Sequence, residues 1–333
     1  MTGRGDIEAA CQRLRAGGLV AFPTETVYGL GADALSEDAV RRVFALKGRP
    51  SNNPLIVHVS GVEMARRVVA AWPPEAEALA RAFWPGPLTL VLPKAPGVPG
   101  IVSGHGPNVG VRCPDHALAL ALIEALGGPI VGPSANPSGA VSPTTAAHVR
   151  ECFSPDDVLV LDGGACRVGV ESTVLSLVGE RPRILRPGAL GSAELGRAAG
   201  RTVDEPVAGG NVPDAGAPLE SPGLLSRHYA PRTPATLIPK SLWGLACGRR
   251  SDRRCAAVVV SDVTAPPHWR LFRLPGDAMG YARGLYAALH QADAEGVAEI
   301  LIEEPPRGEP GSAEAGLWRA VHDRLARAAE RHA

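Results

Sequence analysis

The stretch LVAFPTETVYGLGADALSEDAVRRVFALKGRPSNNPLIVHV, residues 19–59, decides the fold class. LVAF (19–22) is a short apolar run stopped by Pro23, the pattern of a buried strand. Residues 36–47 carry Val40, Val43, Phe44 and Lys47 on one helical face behind Ser36, a good N-cap. PLIVHV (54–59) is β-branched and returns to strand. Strand, helix and strand in so short a span predict an α/β domain. Between the first two elements, Gly29 and Gly31 allow a tight turn with close backbone approach.

Further out, the periodicity predicts helices over 6–17, 62–71, 75–84, 115–126 and 144–151, and strands over 88–93, 108–113, 129–134, 158–163 and 172–178. Several strand pairs are too close for a helical crossover, so a mixed, twisted sheet with flanking helices is expected. Residues 204–236 are rich in Pro, Gly and polar side chains with no period, and structureless loops of that length are usually functional or disordered. Strand 256–261, helix 277–293, strand 298–303 and helix 313–331 then predict a smaller second α/β domain. The division is 1–203 as first domain, 204–236 as linker or lid, and 237–333 as second domain.

Composition bounds the function. The 333 residues suffice for two domains, and 45% hydrophobic with 20% charged residues is ordinary for a globular chain. Basic and acidic side chains balance at 34 each, which argues against nucleic-acid binding by bulk charge. A local patch with Arg41, Arg42, Lys47 and Arg49 keeps double-stranded RNA binding as an alternative. No apolar run approaches the ~20 residues of a membrane span, and the N-terminus lacks a signal-peptide core. A soluble, cytoplasmic protein without membrane contact is expected. Six cysteines without a C-x-x-C pair read as small buried residues in a reducing compartment. The basic stretch GRRSDRRC (248–255) reads as a solvated loop in preference to an RNA contact.

The polar residues cluster in loops at strand ends, where α/β sheets bind ligands. Thr24, Glu25 and Thr26 follow the first strand. Lys47 and Arg49 flank Gly48 in a Pro-bounded loop, and a compact cation beside a planar one suits a polyphosphate; Asn53 adds an amide. His58 lies in an apolar strand and reads either as a satisfied core histidine or as a site residue. Arg112, on another apolar strand, requires an anionic partner, whether a substrate carboxylate or an internal acid. GPIVGPSANPSGAVSPTT (128–145) offers Ser134, Asn136, Ser138 and Ser142 with accessible backbone N–H groups. Glu171, Ser172 and Thr173 open a later strand, and Arg186 precedes a Pro-Gly turn. There is no P-loop, dinucleotide fingerprint, Ser-His-Asp set or H-E-x-x-H motif. Such an inventory favours binding, orienting and charge neutralisation over covalent catalysis.

In this order the segments PTETVYGLG, KGRPSNNPLIVH, FWPGPLT, GVRCP, GPSANPSG, ESTV and RPG resemble the YrdC/Sua5 family of threonylcarbamoyl-adenylate synthases, over about residues 5–195. SPGLLSRHYAP (221–231) and DRLARAA (323–329) resemble the linker and C-terminal domain of the longer, Sua5-type branch. The resemblance implies a YrdC-like mixed sheet plus a Rossmann-like C-terminal domain. It implies a nucleotidyltransferase that joins L-threonine, bicarbonate or CO₂, and ATP into threonylcarbamoyl-adenylate and diphosphate. Mg²⁺ is implied on the phosphates, with metal ligands unknown. The product would feed a downstream threonylcarbamoyl-transfer complex for t6A modification of ANN-decoding tRNAs, with at most weak RNA contact. By the same resemblance Lys47 and Arg49 carry catalysis. Those two, with Asn53, Ser134, Asn136, Ser142, Arg186 and Tyr229, hold ATP, with His228 a further candidate beside Tyr229. Thr24, His58, Arg112, Ser134 and Ser172 hold threonine. A carbamoyl-adenylate-forming carbamoyltransferase module is the enzymatic alternative.

Overall fold

The computed structural model describes residues 4–206, 218–223, 228–309, 312 and 314–331. The elements in order are α1 (Arg4–Arg15), β1 (Leu19–Phe22), β2 (Gly29–Asp33), α2 (Glu37–Lys47), β3 (Ile56–His58), α3 (Val62–Ala65), α4 (Pro74–Phe83), β4 (Leu88–Pro93), β5 (Asn108–Arg112), α5 (Ala117–Leu126), β6 (Ile130–Val131), α6 (Ala146–Cys152), β7 (Val158–Val160), β8 (Thr173–Ser176), β9 (Arg183–Arg186) and α7 (Ser192–Ala199). Then follow β10 (Ala235–Ile238), α8 (Trp243–Gly248), β11 (Cys255–Val259), β12 (Arg270–Arg273), α9 (Ala278–Ala294), β13 (Glu299–Glu303), α10 (Ala315–Ala328) and β14 (Glu330–Arg331).

The first nine strands form one sheet in the order β7-β1-β2-β6-β3-β5-β4-β8-β9, with parallel and antiparallel pairs interspersed, as short connections require. Strand β1 feeds two cores. In β1, Val20 and Phe22 pack with α1 and α5, while Leu19 and Ala21 face the α2 side. The remaining five strands form a wholly parallel sheet in the order β12-β11-β13-β10-β14. There α9 and α10 cover one face, and Trp243 and Trp269 pack on the other. The α9/α10 core also takes in Val27, Val141, Val168, Val170 and Tyr229. Apolar packing therefore joins the two sheets.

Several expectations are corrected. Residues 29–33 form strand β2, antiparallel to both β1 and β6, instead of a tight turn. The glycines serve there because a Cβ at Gly29 would lie 2.7 Å from the Phe22 ring, and one at Gly31 would lie 3.0 Å from the Val20 carbonyl. The helix expected over 62–71 is a single turn, Val62–Ala65. The strand expected over 129–134 is regular only at Ile130–Val131, before Gly132-Pro133, with an isolated antiparallel bridge between Ser134 and Gly29 beyond them. Strands β9, β10 and β12 and helices α7 and α8 lie where the sequence pattern predicts no such element, and the helix expected over 313–331 ends at Ala328, before strand β14. Much of the expected linker, 207–217 and 224–227, lies outside the described residues, including part of the 221–231 motif. The 248–255 stretch exposes Arg249, Arg253 and Arg254 and ties Arg250 to Glu299 at 2.7 Å. Cys255 begins β11 in the core.

Candidate active site

The amphipathic pattern of α2 explains how a lysine reaches the interior. Ser36 caps its start by accepting from the Ala39 N–H, and Val40, Val43 and Phe44 bury one face. Lys47 continues that face in the last turn and is itself buried. Its Nζ donates to the Ser134 and Asn136 carbonyls at 2.6 and 2.5 Å, tying α2 to the loop after β6. Gly48, at φ +60, ends the helix in the left-handed region and turns the chain so that Arg49 faces inward. Arg49 donates to the Asn53 carbonyl, to Asn53 Oδ1 (2.6 Å) and to the Pro54 carbonyl (2.7 Å).

Across the cleft, Arg186 at the end of β9 donates to the Ser172 carbonyl and to Ser172 Oγ, each at 3.1 Å. Ser172 Oγ also meets Thr89 Oγ1 at 2.8 Å. Lys47, Arg49 and Arg186 thus form no ion pair with any carboxylate among the described residues; their donors go to neutral oxygens. Burial lowers the pKa of all three, that of Arg49 to about 9, with like charges adding to the effect (Arg49 on Lys47, Arg186 on Arg49). A guanidinium stays charged under such a shift. A desolvated surplus of positive charge of this kind is costly without an anion to balance it.

Arg112 is different. Its Nη2 lies 2.7 Å from Glu25 Oε2, an ion pair in contact, and donates to Thr26 Oγ1 at 2.9 Å. Thr24 stands behind, bonded to Thr26 Oγ1 and the Val27 carbonyl. Of the two anions the sequence left open for Arg112, the fold thus supplies the internal one. His58, beside Arg112 on the neighbouring strand, is 2% exposed, and its Nδ1 has no partner among the described residues. Burial, then the Arg112 charge, hold its pKa down at about 3, so the ring is neutral. A Cβ at Gly132 would come within 2.6 Å of that Nδ1, so the glycine lets the ring approach.

Arg49, His58, Arg112, Ser134, Glu171, Arg186, His228 and Tyr229 line one cavity of about 40 Å³, together with Ile56, Gly132, Pro222 and Gly223. Lys47, Asn53, Asn136, Ser142, Ser172 and Thr24 do not line it but are joined to it by the bonds above, or, for Ser142, by a 2.6 Å bond to Glu171. The residues that the resemblance assigns to ATP and threonine therefore converge on one cleft, whereas Arg41 and Arg42 of the basic patch are exposed, paired with Glu37 and the Gly17 carbonyl. A larger open groove of about 890 Å³ along β7, past His116 and Asp162, contains none of them.

Three roles go beyond the sequence reading: Glu25, expected only as a strand-end carboxylate, is the counter-ion of Arg112; Glu171, expected only at a strand start, lines the cleft; and side chains of α9 and α10 reach it. Burial pushes the Glu171 carboxyl up, but Arg324 and Arg186, with hydrogen bonds from Ser142 and Arg324, outweigh it and hold it near 2. No spacing in the sequence connects residue 171 with residue 324. The hints were an arginine inside an otherwise apolar helical face and its place in the DRLARAA segment.

Fold and site together define a two-domain α/β protein with a secluded, cationic cleft suited to a polyanion beside a small polar molecule. The comparisons narrow this class. A family profile described as "Telomere recombination" (Sua5_yciO_yrdC) matches residues 12–188, and one described as "Threonylcarbamoyl-AMP synthase, C-terminal domain" matches 192–330. The threonylcarbamoyl-AMP synthase of Pyrococcus abyssi is 42% identical, over 97% of this chain and 93% of its own. That of Bacillus subtilis is 37% identical, over 97% and 92%. The crystal structure of P. abyssi Sua5 complexed with L-threonine superposes with a TM-score of 0.86 at 40% identity, covering 98% of this chain and 96% of that one. The chain belongs to the threonylcarbamoyl-AMP synthase family, in its two-domain form.

Proposed function

We propose that this protein joins L-threonine, bicarbonate or CO₂, and ATP into threonylcarbamoyl-AMP, releasing diphosphate, and so acts as a nucleotidyltransferase. The observation that carries the reading is the set of three buried cations, Lys47, Arg49 and Arg186, without carboxylate partners among the described residues. A triphosphate supplies the anion they lack. Threonine's amine adds to CO₂ to give a carbamate and a proton. A carbamate oxygen then attacks the α-phosphorus, forming the mixed anhydride as diphosphate leaves. Carbamates hydrolyse readily, so the step benefits from exclusion of water.

Lys47 and Arg49 would carry the phosphate charge, with Asn53, Ser142, Arg186 and Tyr229 completing the ATP site. Ser134 and Asn136 would stand where nucleotide and amino acid meet. Thr24, His58, Arg112 and Ser172 would hold threonine, whose carboxylate must share Arg112 with Glu25 or displace it. Ligand pockets run ~300–1,000 Å³, far above the cavity here, so Pro222, Gly223, His228 and Tyr229 have to move for ATP to enter. In this division residues 1–203 carry catalysis, 204–236 the cover and 237–333 its support. Mg²⁺ would travel on the phosphates: among the described residues no group of three His, Cys, Asp or Glu could hold it. Among the same residues no helix is long and apolar enough to cross a membrane. We assign the protein to the cytoplasm, where its product would pass to the machinery that makes t6A in tRNA.

The test is diphosphate release from ATP, with threonine and bicarbonate omitted in turn, and identification of the product by mass. Release that needs both supports the reading. Release driven instead by carbamoyl phosphate overturns it in favour of carbamoyl transfer.

A further inference from the structure

The second domain sends one charged side chain into the cleft. Arg324, on α10, is 0% exposed. Its Nε donates to Glu171 Oε2 at 2.8 Å and its Nη2 to the Pro187 carbonyl at 3.0 Å, while Nη1 meets Asp323 at 2.6 Å. The guanidinium carbon lies 5.0 Å from the centre of the Tyr229 ring. From α9, Tyr286 donates to the same Glu171 oxygen at 3.0 Å and stacks on Tyr229, ring centres 6.0 Å apart and 23° between planes. The Glu171 carboxylate is thus gripped by the second domain through one oxygen and by Ser142 of the first through the other.

Two problems of the cleft are solved at this point. Among the described residues Glu171 is the only carboxylate that lines it. An unpaired carboxylate there would repel a triphosphate through a low-dielectric interior, where charges act strongly. The second problem is Tyr229, whose φ of +60 is unusual for a bulky residue and persists only where surroundings enforce it. Its hydroxyl, pressed toward Gly223, has no partner among the described residues. The ring is held between Arg324 and Tyr286. Its neighbours are pinned from both sides, the His228 N–H to the Arg327 carbonyl and the Ala230 N–H to that of Gly139.

We propose that Arg324 is a positioning residue for ATP: it cancels the Glu171 charge in the nucleotide cleft and clamps Tyr229 as the cleft's cover. The second domain thereby acts on ATP without touching the reacting atoms. The inference rests on the reading of the cleft as the ATP site, and extends it to a residue on the other domain.

The test uses the full-length protein, with diphosphate release followed while ATP and threonine are varied separately. Arg324→Met should raise the KM for ATP ~10- to 100-fold, because it bares a buried charge, and leave that for threonine within ~3-fold. Adding Glu171→Gln to Arg324→Met should return most of the ATP affinity, since no bare carboxylate then remains. Arg324→Lys, which keeps the charge but loses the forked donors and the plane over Tyr229, should raise the ATP KM less than Arg324→Met does. Arg319, on the same helix and paired with Glu205, serves as a docking control, and Arg319→Ala should not change the KM for ATP.

An ATP KM that is unmoved in Arg324→Met, or that rises in step with the threonine KM, overturns the proposal; so does failure of Glu171→Gln to rescue. If Arg324→Met does not fold, Arg324→Gln takes its place under the same readings: an ATP KM that is unmoved, or a rise that Glu171→Gln does not rescue, overturns the proposal. A wild type that releases no diphosphate at all refutes the proposed function instead, so the two failures are distinct.

Discussion

The two sheets bury different things. Around one end of the nine-stranded sheet lie Lys47, Arg49, Arg112, Glu171 and Arg186, all desolvated, with hydroxyls and amides between them. Among its described residues, the five-stranded half buries only two charged side chains, Glu303 and Arg324. Glu303 is used internally, accepting from the Val260 and Ser261 N–H groups at 2.8 and 2.9 Å. Arg324 leaves its own core for the cleft. Buried charge is costly, so its concentration in one half marks where a ligand can offset that cost. The other half is stabilised by apolar packing and reaches the site with a few side chains.

This contrast can be broken by experiment, and the largest expected effect comes from Lys47→Ala. It should lower threonylcarbamoyl-AMP formation by ~10²- to 10³-fold, the scale for removing one preorganised charge from a transition state. Activity within ten-fold of wild type by diphosphate release would mean, on the same principle, that the buried cations are structural.

Leu289→Ala, in the fully buried face of α9, probes the apolar half. It should cost ~2–5 kcal/mol in chemical denaturation while the kcat of the protein that remains folded changes little. Loss of kcat under conditions where the chain is folded would erase the division of labour.

A smaller effect concerns pH. Burial lowers the pKa of His58 and His228 from the ordinary 6.5 to about 3, and that of His148 to about 4. All three are neutral in the folded chain, and unfolding below pH 6.5 lets them take up protons. Stability is therefore fully present above pH 6.5 and falls as the pH drops from there toward 4. His148 also stacks on His290 of α9, ring centres 4.0 Å apart, so this loss falls partly on the joint between the halves. His148→Gln should flatten the dependence of Tm on pH between 7 and 5; an unchanged slope would remove His148 from the account. At the bottom of the scale, Arg273→Ala breaks an exposed pair with Asp262 and should cost ~0–1 kcal/mol by denaturation, with activity unaltered.

How much was legible follows from where the information lies. Helix α2 was readable because its apolar spacing, N-cap and C-terminal glycine are all local, and β4 because LTLVLP is a long β-prone run. Strand β2 was not, since GLGAD has weak strand preference and becomes a strand only by pairing with β1 and β6. The short edge strands β9 and β12 were hidden for a similar reason. Each is four residues bounded by arginines, RILR and RLFR, too short to show a period, and is specified by its neighbours. In the site, Lys47, Arg49, Arg112 and Ser134 stood out because cations and hydroxyls in Gly- and Pro-rich strand ends have few structural uses. Glu25 and Glu171 read only as strand-end acids without a role, because an acid beside polar residues looks like any solvated loop until an arginine is found opposite it.

From the sequence alone came the interleaving of strand and helix, the break before the second domain and the chemical character of the cleft: each is written in short-range spacing and residue type. Only the tertiary structure decided that Arg112 meets Glu25, that Glu171 meets Arg324 from 153 positions away, and that Tyr229 is held at φ +60 between the two halves. Those pairings depend on which surfaces the packed sheets bring together. Charge, unlike helical periodicity, carries no record along the chain of the partner it will be buried against.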